Sequence, residues 1–449
     1  VTATLLTLLV LPVLYLWFEH NDSNKKPGTK IRLPKFKKRK QKNINKMKTI
    51  LLLISLSVIT AQAQTTISLK AAIDSVLNQN PAAMAAKLKT SAAKALEGSA
   101  NEIPLTNISA EYGKINSVYN DTKFGLSQAV AFPAVYKRQK ELLQAHTASF
   151  ALNENVVKAE LKKQVTFLYY QMLVLQKRKE LLLQADSLYR NFSQKQNQRF
   201  KAGDANILEK TTAETQLMHV QSQLSQLDTD YKIVQVQFGR LLNSASSFIP
   251  ADSKAKIDLA QKPTASNYPA VQLKAQQQSI PLKEIEAIKT KNLPQFSVGY
   301  TNQSISGIQN VNGVDKSFTG ANRFSAASLG LNIPLFNKAN KARIAAGKIN
   351  YSVAKTEYED VLKQYESTIQ QLQLKKEKQE SQLAYFEKAA LVQAKTITDN
   401  ANLQFANGAI NYLEWIMLTN QAISIKAEYI TAINEWNNTI IELNAFANN

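Results

Sequence analysis

Along two stretches of about 115 residues, 134–249 and 335–449, apolar positions return at helical spacing and no proline intervenes. Leu161, Val165, Leu168, Met172 and Leu175 step by four and three, and Ile416, Ile423 and Ile430 recur every seventh residue. That is the spacing of a coiled-coil seam. Because proline costs about 3 kcal/mol in a helix interior, its absence leaves both windows free to be helical throughout. Each window holds two glycines, Gly203 and Gly239 in the first, Gly347 and Gly408 in the second. The mid-window glycine stands in a shared pattern, RFKAGDANILEK at 199–210 and QFANGAINYLEW at 404–415. Glycine supplies the left-handed conformation that ends a helix, and Asp204, Asn206 and Asn407 add turn chemistry. Each window is therefore expected to be a helical hairpin bent at Gly203 or Gly408. The arms before the bend, about 134–200 and 337–405, would be ~100 Å long at 1.5 Å per residue. Their seams are diluted by Gln, Lys, Asn and Ser, so one face is expected to meet water.

Ahead of each hairpin the pattern changes from a period near four to a period of two. Residues 77–104 parallel 266–294, Pro81 matching Pro269 and Pro104 matching Pro294, and both read as short helices. After Pro104, Ile108, Ala110 and Tyr112 alternate with polar neighbours; after Pro294, Phe296, Val298 and Tyr300 do the same. Returning strands follow at 124–132 and 328–335, across polar, turn-rich connections at 113–122 and 306–320. Such alternation marks half-buried strands. The chain from residue 64 onward is thus helix, two strands and a long hairpin, performed twice, with repeats at 64–249 and 250–449. The fold class is mainly α with a small β part.

The first 63 residues read as addressing. Val1–Phe18 is an uncharged apolar run long enough for a membrane helix, and 1–19 is expected to be a transmembrane fragment. Residues 20–46 form a basic linker, expected on the cytoplasmic side. Between 21 and 48 stand twelve Lys or Arg against Asp22 alone, so much of the net charge of +21 is concentrated there. Only one aromatic, Phe36, and no fold accompany these charges, which argues against nucleic-acid binding. Residues 47–63, MKTILLLISLSVITAQA, have the basic start, apolar run and A-x-A site of a signal peptide, with a mature start at Gln64; an uncleaved second anchor is the alternative. There is no cysteine, and His20, His146 and His219 lack ligand spacing, so no metal site, cofactor or nucleophile is expected. No catalytic constellation appears, and no enzyme is expected.

Four strands with one apolar face leave open edges, which lipid does not permit. Three copies would supply twelve strands and remove the edges. The duplicated order and the tip pattern F-x-x-G-x-x-x-x-L-E resemble the TolC family of outer-membrane efflux proteins over residues 65–447. The resemblance implies a homotrimer with a twelve-stranded barrel in the outer membrane, a periplasmic helical tunnel, and tips that meet a periplasmic adaptor and an inner-membrane pump. It makes Phe200, Gly203, Asp204, Leu208, Phe405, Gly408 and Leu413 tip and adaptor-contact candidates. It places Glu209 and Glu414 where relatives often carry an acid at the tunnel's closed end. The other reading of both is that of acids favoured near a helix N-terminus. Some relatives latch the tip with an arginine where this chain has Ile410, and Gln64 departs from relatives lipidated on a cysteine. TLLVLPVLYLWFE at 7–19 is similar to the last transmembrane helix of heavy-metal resistance-nodulation-division (RND) pumps, which suggests metal cations as cargo. Export of drugs or secreted polypeptides, and a non-conducting coiled-coil scaffold, are the alternatives.

Overall fold

The computed structural model describes residues 65–447. The transmembrane fragment, linker and signal peptide expected over 1–63 lie outside the described residues. Among the described residues no helix is long and apolar enough to cross a membrane.

A short strand β1 (Thr65–Ile67) leads into helices α1 (Leu69–Gln79) and α2 (Pro81–Leu96). Ser68 caps α1 by accepting from the Ala71 amide, and Asn80 caps α2 by accepting from Ala82 with Pro81 at the first helical position. Proline is tolerated there because the amide it lacks would have had no helical acceptor. Strands β2 (Asn107–Gly113) and β3 (Asp121–Ala131) follow, then the long helix α3 (Pro133–Ala202) and its return α4 (Ile207–Leu241). The second half runs through β4 (Phe248–Pro250), α5 (Pro269–Gln277), α6 (Ser279–Thr290) and β5 (Gln295–Ser304). Next come β6 (Gly307–Val311), β7 (Val314–Phe318) and β8 (Arg323–Asn332). The second hairpin is α7 (Lys338–Tyr385), a π-helical turn (Phe386–Ala390), α8 (Leu391–Ala406) and α9 (Tyr412–Ala445).

The 70 residues of α3 span ~105 Å, as the proline-free window permits. The matching arm of the second hairpin differs from expectation in one respect, since the π turn interrupts it. Three further differences lie in the β structure. Strand β8 begins at Arg323 and stops at Asn332, so Ile333–Leu335 belong to the connection before α7. The expected loop at 306–320 contains the β6–β7 hairpin, closed by Asn312 (φ 56°) and Gly313 (φ 84°), the positive-φ pair of a two-residue hairpin turn. Strands β1 and β4 pair in parallel, Thr65 with Phe248 and Ile67 with Pro250.

The main sheet has the order β2-β3-β5-β8, antiparallel throughout. Two cores hold the helices. One gathers Tyr169, Met172, Phe238, Ile440 and Leu443 where α1 and the inter-repeat segment cross α3 and α9. Here Asn437 of α9 donates to the Ala255 carbonyl and accepts from the Ile257 amide, and one heptad on, Asn444 accepts from the Ala260 amide. These asparagines satisfy an otherwise unpaired extended backbone, as buried polar groups require. Trp436 adds a 2.8 Å bond to the Ile257 carbonyl. The second core lies nearer the bends and gathers Leu182, Tyr189, Phe192, Val220, Trp415 and Ile416.

Candidate functional site: hairpin tips and an apolar sheet

Both tips are built by the same backbone device. After α3, the Gly203 amide donates to the Phe200 carbonyl (3.1 Å) and the Asp204 amide to the Arg199 carbonyl (2.8 Å). After α8, the Gly408 amide donates to Phe405 (3.1 Å) and the Ala409 amide to Gln404 (2.8 Å). This pair of bonds is a Schellman closure, and it needs a left-handed residue at the bend. Gly203 has φ 83° and Gly408 φ 72°. No heavy atom lies within 4 Å of where a Cβ would stand on either, so conformation and not space selects glycine.

The returning helices start alike. Asn206 caps α4 by accepting from the Glu209 amide, and Asn411 caps α9 by accepting from the Leu413 and Glu414 amides. Glu414 reaches back to accept from the Asn411 amide at 2.9 Å, completing a capping box. Glu209 approaches the Arg199 guanidinium at 3.8 Å across the bend. Each glutamate therefore sits at the third helical position and is engaged by its own tip; Glu414 is exposed and Glu209 partly so. The N-x-x-E spacing in NILE at 206–209 and NYLE at 411–414 is the signal for these caps, and sequence reasoning passed it over in favour of the glycines.

The apolar tip residues divide by hairpin. Phe405 packs on Phe192 of the first hairpin (ring centroids 5.7 Å) and on Trp415 (5.5 Å), while Trp415 also meets Tyr189 (6.2 Å). The Trp415 indole donates to Asn402 at 2.9 Å, and the Tyr189 hydroxyl donates to Asn420 at 2.7 Å. Burial pushes the Tyr189 phenol up to about 12, so it stays a donor at any physiological pH. Ile410 joins this cluster from its edge. Phe200 lies under the Lys210 ammonium at 5.2 Å, and Asp204, Leu208 and Leu413 face solvent. The tip thus combines a packed aromatic floor joining the two hairpins with exposed leucines beyond it.

At the other end stands the sheet. The registers place Ile108, Leu126, Tyr300 and Ala327 in one cross-strand row, with Val298 beside Leu329 and Phe296 beside Leu331 in the next two. The large apolar side chains of this face are exposed. The opposite face carries Ser109 against Gly125, Ser127 against Gly299, Gly299 against Ser328, and Ser297 against Gly330. A Cβ on Gly125 would lie 2.6 Å from the Ser109 hydroxyl, and one on Gly299 2.6 Å from that of Ser328. Crowding on the small face is what a sheet curling toward that face produces. Where β3 begins, buried Asp121 accepts from the Ser117 and Ser304 hydroxyls and the Ser306 amide, fastening the connection of one repeat to that of the other.

No protein-family model and no curated protein matches the sequence. Among solved structures, the chain resembles CusC, studied for conformational changes accompanying folding and transmembrane channel formation, at TM-score 0.70 and 15% identity, over 86% of this chain and 94% of that one. A membrane protein from Pseudomonas aeruginosa matches at TM-score 0.70 and 13% identity, over 86% and 91%. The Campylobacter jejuni CmeC outer membrane channel matches at TM-score 0.68 and 13% identity, over 94% of both chains. At such identities the likeness is one of fold, and it runs over nearly the whole length of each partner. The long helical hairpins and the four-stranded sheet therefore share the fold of these solved structures.

Proposed function

We propose that the protein is an outer-membrane exit duct for efflux, a passive conduit without catalytic activity. The observation that carries this reading is the four-stranded sheet: its apolar face is exposed, β2 and β8 each have one unpaired edge, and it tops two hairpins whose longer arms run to ~100 Å. An apolar face with open edges is a liability in water. Three copies closing a twelve-stranded barrel turn that face toward lipid and leave no edge. The hairpins then form a periplasmic tunnel. Its tips, with exposed Leu208 and Leu413 over the aromatic floor, meet a periplasmic adaptor and an inner-membrane RND pump. Glu209 and Glu414, three of each in the trimer, form an acidic constriction that attracts cations. Heavy-metal ions are the proposed cargo, on the strength of residues 7–19 alone.

Expression with membrane fractionation, followed by planar-bilayer recording, tests the duct. A trimer in the outer membrane that gives discrete conductance supports it, whereas a soluble, non-conducting product would favour a coiled-coil scaffold. Cargo is tested separately by deleting the gene and measuring tolerance to copper, silver, zinc, cobalt and drugs. Unchanged metal tolerance removes the metal assignment and leaves the duct standing.

A further inference from the structure

The internal duplication fixes how one copy of the chain meets the next, and we infer that β8 pairs with β2 of a second copy with Leu329 opposite Ala110 and Leu331 opposite Ile108. The inference rests on the barrel reading above and adds its register. Within the chain, the junction between repeats is the β3–β5 pairing, which sets Leu126 opposite Tyr300 and Gln128 opposite Val298. Pro104 and Pro294 hold equivalent places, so Ala110 stands for Tyr300 and Ile108 for Val298. The hairpin registers carry the equivalence to the returning strands. Ala110 faces Phe124 and Tyr300 faces Ala327, so Ala327 stands for Phe124, Leu329 for Leu126 and Leu331 for Gln128. Replacing each member of the β3–β5 junction by its counterpart gives the proposed seam.

Two observations that did not enter this construction agree with it. The first is exposure along the rows. Leu329 (88%) and Ile108 (78%) at the seam are more open than Leu126 (48%) and Tyr300 (49%) between them, as expected when each edge lacks a neighbour, while Leu331 (51%) is no more open than Val298 (55%). The second is the small face, where four of the six glycine pairings across the sheet are with a serine and the other two are with Thr301 and Asp121. The proposed register sets Gly330 opposite Ser109 of the second copy and continues the pattern. A slip of two residues, which keeps each face's polarity, would instead set Gly330 opposite Glu111 or Asn107. The same substitution brings α7 against α2 of the second copy, as α3 meets α5 in the chain. Leu88 stands seven residues after Pro81 as Gln276 does after Pro269, and Gln276 reaches across to the Ala145 carbonyl of α3. Leu88 and Met84 on α2, and Ile349 and Val353 on α7, are exposed apolar side chains in wait of such a neighbour.

Since the chain has no cysteine, paired substitutions read the register directly. Full-length protein carrying Ala110→Cys with Leu329→Cys is recovered from outer membranes and oxidised with copper phenanthroline. Loss of the monomer band into covalent dimer and trimer is expected, because directly opposed strand residues have the Cβ separation that a disulfide needs. Ile108→Cys with Leu331→Cys is a second in-register pair, should the first disturb folding. Ala110→Cys with Leu331→Cys is displaced by two residues and is expected to stay monomeric on denaturing gels. Cross-linking of the displaced pair in preference to both in-register pairs overturns the register while the trimeric duct stands. Absence of cross-linking in all three, with a monomer by native mass measurement, overturns both.

Discussion

At Gly408 the backbone adopts φ 72° with open space around the missing Cβ, so the cost of a side chain there is conformational. Gly408→Ala is expected to destabilise by about 1–2 kcal/mol, the penalty of a left-handed L-residue, and Gly203→Ala by a similar amount. Thermal unfolding of the variants checks this. Asn411→Ala removes two side-chain bonds to amides while keeping the backbone amide that Glu414 accepts from, which predicts a loss of about 1 kcal/mol. Glu414→Gln separates the two roles of that glutamate. The amide oxygen still accepts from the Asn411 amide, so the thermal midpoint should barely move. If the side chain also lines a cation-attracting aperture, single-channel cation selectivity falls; unchanged selectivity leaves Glu414 a helix cap only. The glycines were legible in the sequence because few other residues adopt positive φ. Trp415 was not, because its burial depends on Tyr189, Phe192 and Phe405, which come from two hairpins and meet only in three dimensions.

Among the elements, the two long arms behave differently although their sequences promise the same. Arm α3 is unbroken over 70 residues, whereas the second arm passes through the π turn at Phe386–Ala390. A π turn accommodates one extra residue without rotating the helix beyond it. Glu387 within it accepts from Lys256 at 2.9 Å and from the Tyr429 hydroxyl at 3.2 Å, tying the inter-repeat segment and α9 to the bulge. Deleting Ala389 should convert the turn to α-helix and preserve the packing of Phe405 and Trp415. Deleting Lys179 from α3 should rotate Tyr189 and Phe192 by about 100° and break the aromatic floor. Tryptophan fluorescence and thermal unfolding report both outcomes. Hydropathy spacing revealed the hairpins because long helices repeat their signal many times. It missed the π turn, a single-residue irregularity, and the β1–β4 pair, whose three-residue strands carry no period. The β6–β7 hairpin did have a signal, Asn312-Gly313, obscured by the polar residues around it. Between elements, Glu141 of α3 is held below the usual carboxylate range by hydrogen bonds to Arg138 and to Lys283 of α6. A depressed folded value means that its contribution is present above the unfolded value near 4.5 and lost as pH falls through the folded one. Glu141→Gln should therefore flatten the acid limb of thermal stability below about pH 4.5, measured by scanning from pH 6 to 3.

For the whole molecule, helices and sheet impose opposite demands on their surroundings. The helical arms mix Gln, Lys, Asn and Glu with their apolar seams and carry ion pairs such as Lys179–Asp228 and Arg190–Asp186, so they suit water. The sheet presents Val298, Tyr300 and Leu329 on one side and serine and glycine on the other, so its two faces suit different media. Adjacent residues of β5 allow this to be tested without changing position along the strand. Val298 lies on the apolar face and Ser297 on the small face. If the apolar face meets hydrocarbon, Val298→Lys carries a penalty of up to about 2–4 kcal/mol per chain at mid-depth, and the amount of trimer recovered in outer membranes should drop sharply. Ser297→Lys places the same charge on the inner wall. It should leave trimer yield near that of the unaltered protein and shift ion selectivity toward anions. The reverse result, loss of trimer with Ser297→Lys and normal assembly with Val298→Lys, would mean that the small face is the one packed away and that the sheet does not close around a lumen.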